Sequence, residues 1–379
     1  MKRLFIGMSM VLVNMAMFSN PLYHPRSLIS CAGDVLEDMR RVGGEFDEEC
    51  RKLAKDCSVE SFIESQKRLI NDYEQRSPIC LIGECTSFFC CLSRSESPHL
   101  RQGLETYVTR MVDDHVQHIK GRPWQYVSFG SGGMFQDLII LTKILQKHPQ
   151  RYIDIHLIDP QYNIYTDICE LLGEPFSRVS NQSKPFQSIL DKLIVNARST
   201  QHYDNSSDDE LRREFARLYI RVERMGQQFL NYLSSSFPQA RLSLFLYKDY
   251  KDYLKQVQSR KASYPDIIVA SDITDDMSLL GGSNEEYKKF VIEVLEHNPH
   301  NINVVFDKLA CGILISYYSK STQTALKTAY QLRHELAGKI KNPFRWLINS
   351  RPVLWMISNS YWSLPRGSDI SRLAIPLAR

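Results

Sequence analysis

Glycines and acidic residues recur where predicted strands end, and a ligand site would be built from these residues. The turn Gly130-Ser131-Gly132-Gly133 directly follows the apolar run Trp124–Phe129. Glycines at such a turn let the backbone approach a ligand closely and adopt φ values that other residues resist. A helix that begins after the turn adds unpaired N–H groups for polar ligand atoms. The turn therefore predicts a nucleotide-type binding site.

Two aspartates follow other predicted strands. Asp159 comes directly after Tyr152–Ile158 (YIDIHLI), and Asp272 follows Ser271 at the end of the run DIIVA. In an open parallel sheet, ligands bind beyond the carboxyl ends of the strands, so these groups are expected to converge there. A carboxylate in this place can accept both hydroxyls of a ribose. The alternatives are a tight turn at the glycines, an exit turn at Asp159-Pro160 and a helix N-cap at Asp272.

The elements that would position these residues alternate between strand and helix after residue 121. Apolar runs predict strands at 124–129, 152–158, 241–247, 266–270 and 302–306, with later candidates at 313–318 and 353–358. Helical periodicity covers 134–147, 164–172 and a long segment that starts at Ser207, and Ser283 with Glu286 forms a capping box for another helix. The pattern predicts an α/β fold with a doubly wound, mainly parallel Rossmann-like sheet over 121–379 and a helical insertion at about 161–240.

The region 25–120 is predicted to be helical and cysteine-rich. Seven of the nine cysteines lie before residue 92. Disulfides are expected in this region if the chain is exported, with buried thiols as the alternative, and the disulfide pairing stays open. A zinc site is a weaker alternative, because the usual C-x₂-C pairs are missing. Its candidate ligands are Cys80, Cys85, Cys90 and Cys91.

Residues 1–24 are predicted to be a targeting segment. Met1-Lys2-Arg3 is positively charged, and the following run from Leu4 to Phe18 is almost uncharged and apolar. A run of about 15 residues is short for a bilayer, which needs roughly 20. A signal peptide, and hence an exported or secreted protein, is the first interpretation. A membrane anchor that is not cleaved and a buried first helix are the alternatives, and membrane contact is expected only through this segment.

Composition narrows the class of protein. The 379 residues suffice for a sizeable core. The net charge is only +4, and basic and acidic residues are mixed along the chain. A nucleic-acid binder usually carries a basic stripe, so no nucleic-acid partner is expected. No metal site is expected either.

The order of these motifs resembles the class I S-adenosylmethionine-dependent methyltransferases. The resemblance covers about residues 100–310: a helix, a strand, a GxGG turn, a helix, a strand ending in Asp, and DIIVASD. It implies that the turn, with Gly130, Ser131, Gly132 and Gly133, holds the methionine end of S-adenosylmethionine. It further implies that Asp159 binds the ribose and that Asp272 closes the fourth-strand segment. It names neither an acceptor substrate nor a catalytic residue.

Three other functions fit parts of the pattern. A nicotinamide dehydrogenase would use G-x-G-x-x-G, with Phe135 in place of the last glycine. A serine hydrolase would place Ser131 on a nucleophile elbow, with a base among His202, His297, His300 and His334. An exported, non-catalytic interaction protein on a methyltransferase-like scaffold is the main alternative. Ser128 favours it, because the family usually has an acidic residue there.

Overall fold

The protein is an α/β protein with a mainly parallel sheet. A computed structural model describes residues 20–84, 98–115, 119–174, 177–180, 185–198, 206–259, 263–271, 302–307 and 312–317, with single positions 289, 293, 294 and 297. Within these residues the chain divides into two compact units. One consists of the described residues of Met1–Thr86, Gly132–Gln150 and Gln161–Leu246, and the other of the described residues of Ser87–Ser131, Arg151–Pro160 and Tyr247–Arg379.

The first unit is mainly helical. Its described helices are α1 (Pro25–Ser30), α2 (Ala32–Asp56), α3 (Val59–Arg76), α5 (Phe135–Lys147), α6 (Asn163–Leu171), α7 (Leu190–Arg198) and α8 (Asp208–Ser236). Helix α4 (Pro98–His115) belongs to the second unit. Helix α8 begins where the sequence predicts, because Ser207 and Glu210 form a complete capping box. Three acidic residues in its first turn also suit the helix dipole.

Helix α8 joins the N-terminal helices through apolar and charged contacts. Its buried stripe includes Leu211, Phe215 and Phe229. Arg221 pairs with Asp47 of α2, and Arg224 pairs with Glu74 of α3 at 2.8 Å. Because α2 and α3 contribute carboxylates to α8, the region before residue 84 packs on a helix that lies more than 100 residues later in the chain.

The sheet has the strand order β3-β2-β1-β4-β5-β6. These strands are β1 (Trp124–Phe129), β2 (Tyr152–Ile158), β3 (Arg241–Tyr247), β4 (Ile267–Ser271), β5 (Ile302–Asp307) and β6 (Gly312–Tyr317). Strand β1 pairs in parallel with β2 and β4, and β4 with β5, whereas β6 runs antiparallel to β5. All six residues of β1 are buried, which is typical of a strand covered on both faces.

Within the first unit, residues 177–179 cover one edge of β3. Val179 donates its N–H to the Leu244 carbonyl at 2.9 Å, and Leu246 donates to the Ser177 carbonyl at 3.1 Å. Arg178 and Phe245 form the antiparallel bridge between these two bonds. Covering an edge in this way removes unpaired backbone groups that would otherwise invite another chain.

Most predicted elements are confirmed where the structure describes them. The first three strands match in both bounds, and the fourth is displaced by one residue, from 266–270 to Ile267–Ser271. Helix α9 (Tyr250–Gln258) is an addition that periodicity did not indicate, although Asp249 caps it. The targeting segment up to residue 19, the strand candidate at 353–358 and the capping box at Ser283 lie outside the described residues. The predicted domain boundaries at 24 and 120 stay predictions.

Candidate functional site

The carboxyl ends of β1, β2 and β4 lie side by side in the second unit. Phe129, the last residue of β1, is in register with Ile158 on one side and with Ala270 on the other. Gly130 donates its N–H to the Ile158 carbonyl at 2.9 Å and has a φ of 70°, where a side chain would be strained. Gly130 and Asp159 are thus the first residues beyond two paired strand ends, as predicted.

Asp159 is held through its backbone. Its N–H donates to the Tyr247 carbonyl at 3.0 Å, and the residue is half-buried. Ser131 is 5% exposed, and its N–H lies 3.5 Å from the Ile158 carbonyl. Asp272, the remaining predicted ligand residue, lies outside the described residues, one position after the end of β4.

The other half of the glycine turn belongs to the first unit, where it is bound to a segment of the same chain. We call residues Ile79–Glu84 the strap. Gly133 donates to the Glu84 carbonyl at 2.9 Å, Phe135 donates to the Gly83 carbonyl at 3.0 Å, and Gly83 donates back to the Gly133 carbonyl at 2.8 Å. The strap carbonyls therefore accept from two amides at the start of α5 that an anionic ligand would otherwise use.

Gly133 is required by this packing. A Cβ at position 133 would lie 2.5 Å from the carbonyl oxygen of Gly83. The hydroxyl of Tyr162 donates to the Gly132 carbonyl at 2.7 Å. In this half of the turn, the close approach that glycine permits is therefore made to the chain's own backbone.

Helix α8 anchors the strap. Gln228 accepts from the N–H of Leu81 at 2.9 Å, and its amide donates to Glu74 at 3.0 Å and contacts the sulfur of Cys80 at 3.3 Å. Burial raises the pKa of the Cys80 thiol to about 11. Four successive strap residues are at most 4% exposed: Ile79, Cys80, Leu81 and Ile82.

Two residues beside the glycines carry unusual features. Met134 is the only non-glycine residue with positive φ, 69°, in the described part of the chain, and it is fully buried. Ser128 is also fully buried, and its hydroxyl makes no hydrogen bond. Ser128 is in register with Leu157 and Val269, so its neighbours across the sheet are apolar.

Sequence reasoning missed a buried polar chain in the second unit. His156 of β2 contacts the hydroxyl of Tyr247 through Nδ1 at 3.0 Å and Oε1 of Gln125 through Nε2 at 3.0 Å. Nε2 of Gln125 donates to the carboxylate of Asp154 at 2.8 Å. A histidine inside the otherwise apolar end of YIDIHLI was the available signal.

The Asp154 carboxylate determines which atoms donate and which accept in this series of buried hydrogen bonds. An ionised carboxylate can only accept, so Asp154 fixes the Gln125 amide nitrogen as a donor and its oxygen as an acceptor. His156 must then donate from Nε2 and accept the Tyr247 O–H at Nδ1. Burial lowers the pKa of His156 to about 3, which agrees with a neutral imidazole.

The geometry bears on the rival functions. Ser131 is buried and lacks the positive φ of its glycine neighbours, which does not favour an exposed nucleophile. Of the candidate bases, His297 is exposed, and the other three lie outside the described residues. Phe135 is fully buried, and its amide is bound by the strap, so the start of α5 does not offer the phosphate site of a dehydrogenase.

The following described cysteines are in the reduced, thiol form: Cys31, Cys50, Cys57, Cys80 and Cys169. Among the residues that the structure describes, no group of His, Cys, Asp and Glu is arranged to hold a metal ion, and no helix is long and apolar enough to span a membrane. Cys85, Cys90 and Cys91 of the proposed zinc set lie outside that part of the chain.

No protein-family model, no curated protein and no solved structure matches the chain.

Proposed function

We propose that the protein binds S-adenosylmethionine at the carboxyl edge of its sheet and transfers the methyl group to an acceptor. The observation that carries this proposal is the register of β1 with β2, which puts Gly130 and Asp159 beyond neighbouring strand ends. The strand order also supports a doubly wound, Rossmann-like layout, because reversal of the order beside β1 creates the crevice in which such sheets bind ligands.

The residues of this edge suit a ribose-bearing ligand. Asp159 is half-buried, its backbone is hydrogen-bonded, and a carboxylate there can accept from the two ribose hydroxyls. Gly130 lacks a side chain at a positive φ, so its backbone can be approached closely. By sequence position, Asp272 would follow β4 at the same edge. The cofactor would supply an activated methyl group, and the described residues would bind and orient it.

The start of α5 favours a ligand without phosphate. The carbonyls of Gly83 and Glu84 already accept from Phe135 and Gly133. A phosphate would have to displace these carbonyls or lie against their partial negative charge. S-adenosylmethionine carries no phosphate, and its single carboxylate is offset by an ammonium and a positive sulfonium, so it requires fewer helix N–H groups than a pyrophosphate does. This supports S-adenosylmethionine over a dinucleotide.

The same strap favours a second candidate function, an exported interaction protein without catalysis. Gly133 is explained by its contact with Gly83, without any ligand. Ser128 has no carboxylate to offer at the end of β1, and its surroundings are apolar. On this proposal the helices before residue 84 and helix α8 provide the contact surface, and fold alone confers no activity.

Calorimetric titration of the full chain separates the two functions. S-adenosylmethionine, S-adenosylhomocysteine and NAD are titrated in turn, with Asp159→Ala as the test variant and Asp191→Ala, at an exposed carboxylate of α7, as the control. Micromolar binding of the first two ligands that is lost only in Asp159→Ala supports the methyltransferase. Absence of binding of all three to folded protein supports the non-catalytic scaffold. Binding of NAD alone contradicts both proposals.

A further inference from the structure

We infer that Tyr247 is a positioning residue for Asp159, and that the buried polar chain from Tyr247 to Asp154 holds Tyr247 in place. This inference rests on the proposed role of Asp159 in ligand binding. The direct observation is that the Tyr247 carbonyl accepts the N–H of Asp159 at 3.0 Å, at the point where β2 ends.

The Tyr247 side chain is fixed on several sides within the second unit. Its ring stacks on His156, with centroids 5.8 Å apart and an interplanar angle of 25°. The ring of Tyr253 meets it edge-on at 5.4 Å. The Tyr247 hydroxyl donates to Nδ1 of His156 at 3.0 Å, and the residue is only 3% exposed. Because Tyr247 is held at both its ring and its hydroxyl, its carbonyl has little freedom to move.

The far end of the polar chain is tied to the start of the sheet. Gln125 receives the Nε2–H of His156 and donates to Asp154 at 2.8 Å. The backbone N–H of Gln125 donates to the Asp266 carboxylate at 2.9 Å. The Arg122 guanidinium donates two more hydrogen bonds, of 2.6 and 2.7 Å, to the same carboxylate. The hydrogen bonds therefore connect the Arg122–Asp266 ion pair to Tyr247, whose carbonyl accepts the N–H of Asp159.

The charged and titratable groups around this chain favour a neutral His156. Tyr247 and Tyr253 pack on its ring, and burial raises the pKa of both hydroxyls. Asp154 is linked to the ring through the side chain of Gln125. With the imidazole neutral, Tyr247 keeps its acceptor at Nδ1 over the physiological pH range.

The test is Tyr247→Phe in the full chain, which keeps the ring and the carbonyl and removes the hydroxyl. Tyr232→Phe is the matched control, because Tyr232 is also a buried tyrosine and its hydroxyl also donates over 3.0 Å, to the carbonyl of Tyr23. Two quantities are measured: hydrogen–deuterium exchange of the Asp159 amide without ligand, and the affinity for S-adenosylhomocysteine.

We expect Tyr247→Phe to speed exchange at Asp159 and to weaken binding roughly fivefold, the effect of losing one net hydrogen bond. Tyr232→Phe should lower stability similarly and change neither quantity. Unchanged exchange at Asp159 in Tyr247→Phe overturns the inference, whatever the ligand does. Unchanged affinity together with faster exchange also overturns it, because Asp159 would then not need the positioning. A wild-type protein that does not bind refutes the proposed function instead, and the exchange result alone then decides the role of Tyr247.

Discussion

The carbonyl oxygen of Gly83 lies 2.5 Å from the place that a Cβ of Gly133 would occupy. Real side chains do not tolerate this distance, so the strap and the glycine turn can only pack as they do because residue 133 has no side chain. The two residues are 50 positions apart in the chain. Their contact explains why position 133 is a glycine, although its sequence context indicates a ligand site.

Gly133→Ala should destabilise the first unit. The added methyl group must push the strap carbonyl away, and overpacking of this kind costs about 1–3 kcal/mol. Urea unfolding measures the change. Gly83→Ala is the matched control, because a Cβ at position 83 would meet nothing within 4 Å. Equal stabilities of the two variants would contradict the close packing of Gly133 on Gly83.

Ser128→Ala should leave stability unchanged or raise it by up to about 1 kcal/mol. The buried hydroxyl of Ser128 makes no hydrogen bond, so its removal relieves a desolvation penalty. For Ser207→Ala we expect the opposite, a decrease of about 1 kcal/mol in the free energy of unfolding, because Ser207 caps α8. Thermal unfolding of both variants gives the comparison. A clear loss of stability in Ser128→Ala would show that its hydroxyl has a partner.

Stability should fall with acid because His156 is buried as a neutral ring. Its pKa is lowered to about 3 from the ordinary 6.5, so the unfolded chain takes up a proton that the folded chain refuses. The contribution is complete above pH 6.5 and is lost as the pH falls from 6.5 towards 3, at up to about 1.4 kcal/mol per pH unit.

Urea unfolding at pH 7 and pH 5 checks this dependence. We expect His156→Gln to lose up to about 2 kcal/mol less than the wild type between the two values, because it lacks the titrating group. The exposed His297→Gln is the control and should keep the wild-type dependence. If His156→Gln shows the same loss as the wild type, His156 is not the neutral buried group that the hydrogen bonds describe.

The strands were predictable because each is short, apolar and bounded by a turn. Trp124–Phe129 and Tyr152–Ile158 match the structure in both bounds, and the glycine turn lies where the apolar run ends. Parallel pairing then put Gly130 and Asp159 at one edge, as the sequence indicated. Local patterns are sufficient for such features, since each depends on residues close together in the chain.

The strap and the polar chain depend on distant residues, and no local pattern reveals them. Ile79–Ile82 are four buried residues beside a cysteine-rich stretch, and nothing in them names Gly133 as a partner. In the sequence, Gln125 and Tyr247 are ordinary strand residues. Only the folded sheet places His156 where it can hydrogen-bond to both of them. Helix α9 was missed for another reason: it is short, and its signal is the Asp249 cap rather than a long periodic stripe.

The first unit is assembled from separate stretches of chain, and this affects how the protein folds during synthesis. Its early helices and strap need Gln228 and the arginines of α8, which are made about 150 residues later. Folding with so many distant contacts is slow, and loops must close before the contacts stabilise anything. While the chain emerges, the strap residues remain without their partner, so the nascent protein exposes apolar surface until α8 has left the ribosome.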